Sequence, residues 1–297
     1  MAPIVDRTTR TIGGVKVYLY GLGQLPSPDI SSPPSVAVCY LFHGRGQNKE
    51  YIEKIGLQIL EIYSSNCNGR SLPLIMVNFD MRNHGERLIE TERNDEWKQG
   101  NITHAIDMIS NIDGSVDDAC LISNMLPGLY PGYVFRNLAL GISMGGHACY
   151  RMAVRIPDNI ECIIPIIGCP DVSSLLLNRL KESRELTLNF RRLSYEDLKL
   201  NSGDSEKWPE SFHNYVTKQD YQISENFPNH VKVLALCGEL DKLVPKEYTE
   251  EWVEEMENAR AGGDSVTLYI DKEAGHQTTD KMVKVIGQWL SDFLRVY

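Results

Sequence analysis

The sequence predicts an α/β protein built on a doubly wound, mostly parallel sheet. Residues 36–42 and 72–79 are continuously apolar rather than alternating, as in parallel strands covered on both faces. Between them, residues 52–63 carry apolar side chains at helical spacing, and strand–helix–strand alternation implies such a sheet. The third observation is scale. The chain has 297 residues, 42% hydrophobic and 24% charged, an ordinary globular composition long enough to bury a substantial core.

The elements follow in order. Gly13-Gly14 precedes residues 15–20, which read as an alternating edge strand. Pro26, Pro28, Pro33 and Pro34 mark the loop before the first central strand. Residues 90–98 are a charged surface stretch, and 101–126 should form two short helices or one helix kinked near Asp113-Gly114. Residues 134–140 read as a buried strand and 147–156 as a helix stopped by Pro157, since proline cannot continue a helix. Residues 160–168, 231–238 and 265–270 are the remaining strands. Between them, residues 171–230 show helical patterns at 175–180, 194–200 and 211–219 and no clear buried strand. That is too long for a plain connection. It is expected to be a helical lid inserted between core segments 1–170 and 231–297, with Phe190, Leu193, Trp208, Phe212 and Tyr215 as candidate apolar walls.

Three features carry chemistry. Gly141-Ile142-Ser143-Met144-Gly145 lies between a strand and a helix. A Ser on that sharp turn, flanked by small residues, is exposed at a helix N-terminus, where backbone N–H groups favour negative charge. Glu239-Leu240-Asp241 follows the strand at 231–238. Ala274-Gly275-His276 follows the last strand, and His276 is the one His downstream of Asp241. The order Ser, Asp, His is that of a nucleophile, an orienting acid and a base.

With His43-Gly44-Arg45-Gly46 added, these loops resemble the four signature loops of the α/β-hydrolase superfamily, from about Val15 onward. The resemblance implies a serine hydrolase with a helical lid, cleaving a carboxylic ester or thioester of a small to medium substrate. Ser143 would be the nucleophile, His276 the base and Asp241 its orienting acid, with the backbones of Arg45 and Met144 as the oxyanion hole. Some members take the acid after the preceding strand, which makes Asp171 the competing candidate. An amidase or peptidase-type member would need an acid such as Glu206, Glu210 or Asp220 to hold a substrate amine. A non-hydrolytic member (acyl transfer, C–C cleavage, ligand sensing) is the third alternative. In this family the turn at Asp80-Met81-Arg82-Asn83-His84-Gly85 is chiefly structural; otherwise Arg82, His84 or Arg87 would line the pocket and meet an anionic group.

Composition excludes other classes. A net charge of −10 argues against nucleic acid or an anionic membrane surface as partner. A small ester-like molecule is expected instead. Seven cysteines without a Cys-x-x-Cys pair suit a reducing compartment. With no signal-peptide core and no apolar run long enough to span a bilayer, the chain is expected to be cytoplasmic. His43, His84, His104 and His147 form no His-Glu-x-x-His pattern, and Gly21-Leu22-Gly23 lacks the rest of a dinucleotide fingerprint. No metal or other cofactor is expected.

Overall fold

The computed structural model describes residues 6–67, 71–183, 185–259 and 265–295. Its strands are β1 (Arg7–Ile12), β2 (Val15–Tyr20), β3 (Ser35–Phe42), β4 (Leu74–Asn78), β5 (Val134–Ile142), β6 (Cys162–Ile166), β7 (Lys232–Gly238) and β8 (Val266–Asp271). They form one eight-stranded sheet in the order β1-β2-β4-β3-β5-β6-β7-β8. β1, β2 and β4 pair antiparallel in turn, and every other pairing is parallel. The helices are α1 (Lys49–Asn66), α2 (His104–Leu129), α3 (Met144–Arg155), α4 (Val172–Leu180), α5 (Ser202–Lys207), α6 (Glu210–Glu225), α7 (Glu247–Ala259) and α8 (Asp280–Phe293).

The apolar runs are explained by two cores. In β3, Val36, Val38, Tyr40 and Phe42 enter the core under α2 and α3. Ala37, Cys39 and Leu41 point the other way, into the core with Ile52 and Ile59 of α1 and Ile286 and Leu290 of α8. Successive side chains alternate faces, so a strand covered on both sides must be apolar throughout.

Three expectations are corrected. β2 is not the edge strand: β1 flanks it through a hairpin at Gly13 and Gly14, whose φ values are 56° and 81°. Two residues at positive φ make the turn that matches strand twist. α2 is continuous from His104 to Leu129, with no break at Asp113-Gly114. Gly114 instead makes room for Arg82, whose Cδ would lie 2.5 Å from an added Cβ. Residues 194–200 hold one short 3₁₀ turn, Glu196–Leu198. The Ser194 hydroxyl does accept from the Asp197 N–H, but Lys199 enters the left-handed region at φ 50° and ends the turn.

Among the described residues between β6 and β7 there are helices and 3₁₀ turns but no strand. The segment is fastened to α3 by Arg151, whose Nη2 donates to Asp220 Oδ1 at 2.7 Å with both side chains out of solvent. Phe190, Trp208 and Phe212 are buried in the core beneath α3, whereas Leu193 and Tyr215 are partly exposed.

Candidate active site

β5 delivers Ser143 into a turn so tight that the neighbouring backbones touch. A Cβ on Gly141 would lie 2.0 Å from the Gly145 carbonyl oxygen, and one on Gly145 would lie 2.1 Å from that of Phe42. Only glycine fits either place. Ser143 itself sits at φ 55°, ψ −113°, a region costing a side-chain-bearing residue about 1–3 kcal/mol. Its N–H donates to the Ile166 carbonyl at 2.9 Å, and its own carbonyl accepts from His147 N at 3.1 Å. The strained residue is thus clamped between β6 and the first turn of α3.

The turn aims the hydroxyl at His276. Ser143 Oγ lies 2.8 Å from His276 Nε2, and His276 Nδ1 lies 2.7 Å from Asp241 Oδ2. The other Asp241 oxygen accepts from the N–H groups of Leu243 and Val244, each at 2.9 Å. Asp241 is buried and ends a loop closed by Pro245. A carboxylate on Nδ1 holds the proton there and leaves Nε2 free to accept from the hydroxyl.

The loop after β3 packs against the same turn, because the Gly145 position abuts Phe42 and His43. Gly44 N–H is spent on Gln47 Oε1 at 2.9 Å. The N–H groups of Arg45 and Met144 donate to no acceptor among the described residues. The Arg45 side chain turns away, donating to the Asn94 carbonyl at 2.7 Å and pairing with Glu96.

The other expected residues lie elsewhere in the fold. Asp171 caps α4, accepting from Ser174 N at 2.8 Å and pairing with Arg191 at 2.6 Å. It makes no hydrogen bond to His276. Asp80 accepts from the N–H groups of Lys49 at 2.7 Å and Glu86 at 2.9 Å. Arg82 and Arg87 both clasp Asp118 of α2, at 3.0 and 2.7 Å. His84 bonds the Arg82 carbonyl at 2.8 Å, and burial lowers its pKa. This turn therefore ties loops together. Asp220 is consumed by Arg151, and neither Glu206 nor Glu210 lines the cleft along α4.

That cleft, of about 530 Å³, adjoins the loop that follows Asp241, and none of Ser143, His276 and Asp241 lines it. One wall is α4, with Leu175, Asn178 and Arg179. Lys242 and Leu243, directly after Asp241, and Glu96, the partner of Arg45, also line it. None of the five aromatic and apolar residues expected as walls lines it. Arg179 carried no signal in the sequence beyond a cation on an amphipathic helix. Among the described residues no group of three or more His, Cys, Asp or Glu is placed to hold a metal ion. No described helix is long and apolar enough to cross a membrane.

No protein-family model matches this sequence, and no curated protein sequence does. Solved structures do. TT1662 from Thermus thermophilus superposes with a TM-score of 0.68 at 17% identity, over 99% of each chain. The Pyrococcus furiosus esterase Pf2001 superposes at 0.55 and 16% identity, over 98% of this chain and 93% of that one. FphF, a fluorophosphonate-binding serine hydrolase of Staphylococcus aureus, superposes at 0.52 and 14% identity, over 97% and 98%. With the sheet order and the strand-to-helix turn at Ser143, these likenesses give the fold: the chain has the α/β-hydrolase fold.

Proposed function

We propose that this protein is a serine hydrolase that cleaves carboxylic esters, or thioesters, through an acyl-enzyme. The observation that carries this reading is the unbroken relay from Ser143 Oγ through the His276 ring to Asp241, at 2.8 and 2.7 Å. A serine hydroxyl is a weak nucleophile at neutral pH and needs a base within such reach. His276 Nε2 takes the hydroxyl proton as Oγ bonds the substrate carbonyl carbon. Asp241 fixes the ring tautomer and stabilises the imidazolium. The oxyanion is received by the N–H groups of Arg45 and Met144, neither of which has an acceptor among the described residues. Imidazolium then protonates the departing alcohol, and water repeats the sequence to release the acid. Removing one such donor typically costs about 2.7–4 kcal/mol. The segment 171–230 serves as a cover that shapes the cleft rather than as a free flap, because Arg151–Asp220 fastens it. The resemblance of the fold to that of an esterase supports ester chemistry.

The test uses a fluorophosphonate probe and 4-nitrophenyl esters of graded chain length on wild type and Ser143→Ala. Wild type should label and turn over. Ser143→Ala should fold, fail to label and lose about 10 000-fold or more in kcat. Equal turnover by the variant would sink the assignment.

A further inference from the structure

We infer that the ester carries a carboxylate, and that Arg179 binds it. This rests on the ester-hydrolase reading and names its substrate class.

Arg179 lies in the last turn of α4, half-buried in the cleft wall. Its Nη2 donates to the Leu243 carbonyl. That uses one of five N–H donors of a guanidinium. Among the described residues no carboxylate lies within ion-pairing distance of it, although the chain is acidic overall at −10. Other buried arginines here are paired: Arg151 with Asp220, and Arg191 with Asp171 and Glu255. Among the described residues two carboxylates line the cleft, and both are occupied, Glu96 by Arg45 and Glu182 by Lys98. Lys207 and Lys242, also on the cleft wall, have no carboxylate partner among the described residues. The cleft is therefore cationic within an acidic protein.

The guanidinium is also one residue removed from Asp241, through Leu243. It bonds the carbonyl of Leu243, whose own N–H supports Asp241. Arg179 and His276 both stand near enough to His147 to disfavour its protonation. Burial lowers the Arg179 pKa, which is the direction expected of a cation held without a counter-ion. A partly desolvated guanidinium with free donors gains most from a planar anion it can bind in bidentate fashion. Around it the walls are apolar, with Leu175, Leu180 and Leu186. One carboxylate on a short hydrocarbon arm matches that lining.

The experiment compares two matched ester pairs. Mono-4-nitrophenyl adipate against 4-nitrophenyl hexanoate places the carboxylate on the acyl side. 4-Acetoxybenzoate against its methyl ester places it on the leaving side. In one of the pairs, wild type should favour the anionic ester about 10- to 100-fold in kcat/KM, the range of a charge-assisted hydrogen bond. Arg179→Met should erase that ratio, and Arg179→Lys should keep part of it. The wild-type ratio should fall severalfold between about 0.02 and about 0.5 M NaCl, as screening grows; this arm needs no variant to fold. A wild type without preference in either pair, a ratio unmoved by Arg179→Met, or one indifferent to salt would each overturn the proposal. If wild type cleaves no ester, the hydrolase reading falls, and calorimetry decides the anion site alone. Monomethyl adipate should then bind Ser143→Ala and not Ser143→Ala/Arg179→Met. Equal binding, or none, overturns it.

Discussion

Asp241 and Asp171 make the clearest contrast at the scale of single residues. Each follows a buried strand and a glycine, and the sequence left the acid open between them. The fold gives them different work. Asp241 holds His276 and two backbone N–H groups, so Asp241→Asn should leave the ring in the wrong tautomer and lower kcat by about 10 000-fold, with little change in the urea midpoint. Asp171 is tied to Arg191 and the start of α4. Asp171→Ala leaves a buried guanidinium short of a partner, so it should cost about 3–5 kcal/mol of stability, with kcat of the folded fraction largely kept. Kinetics and denaturation on both variants would reverse these assignments if the losses were exchanged. A three-dimensional fact separates the two, yet a trace was legible: Asp171-Val172-Ser173-Ser174 has the spacing of a helix cap. The turn at Ser143 and the loop at His276 were readable because glycine spacing and chain order mark them. Arg179 was not. A cation on an amphipathic helix normally faces water, and only the approach of the Asp241 loop turns it towards a cleft.

Elements were legible in proportion to how completely they are buried. β3, β5 and β7 are apolar on both faces and stood out as runs. β1, with the sequence Arg-Thr-Thr-Arg-Thr-Ile, is exposed over most of its length, so its hydrophobic pattern is silent and only the Gly13-Gly14 turn marks it. The helical insertion was visible as a stretch without strands, but its docking was not, since that depends on one residue pair far apart in sequence. Arg151 of α3 reaches Asp220 of α6 at 2.7 Å, and Asp220 also accepts from Ser173 N. Two further nitrogens of Arg151, Nε and Nη1, have no hydrogen-bond partner among the described residues, so the guanidinium depends on this one carboxylate. Asp220→Ala should therefore destabilise by about 3–5 kcal/mol, and adding Arg151→Met should recover much of the loss by removing the orphaned charge. Urea unfolding of the three variants closes a double-mutant cycle. Independent, additive losses would mean that the pair does not fasten the insertion.

The whole molecule carries an acid sensitivity built from its buried imidazoles. His43, His104 and His147 are each at most 2% exposed. Desolvation is the largest cause in each case, lowering the pKa of His43 and His104 to about 4 and of His147 to about 3. In the unfolded chain each returns to about 6.5. The unfolded state therefore binds more protons than the folded one between these limits, and stability rises with pH across that window. It is fully present above pH ~6.5 and is lost as pH falls towards the folded values. Each group changes stability by up to about 1.4 kcal/mol per pH unit, so lowering the pH from 7 to 5 should remove about 5 kcal/mol from the three together. That is a large part of the 5–15 kcal/mol typical of a domain. Urea midpoints at pH 7, 6 and 5 should fall steadily, with close to three protons taken up on unfolding near pH 5. His147→Gln should flatten the slope by about a third, whatever it does to stability at pH 7. A midpoint independent of pH between 7 and 5 would mean that these rings are hydrated or already charged in the folded protein.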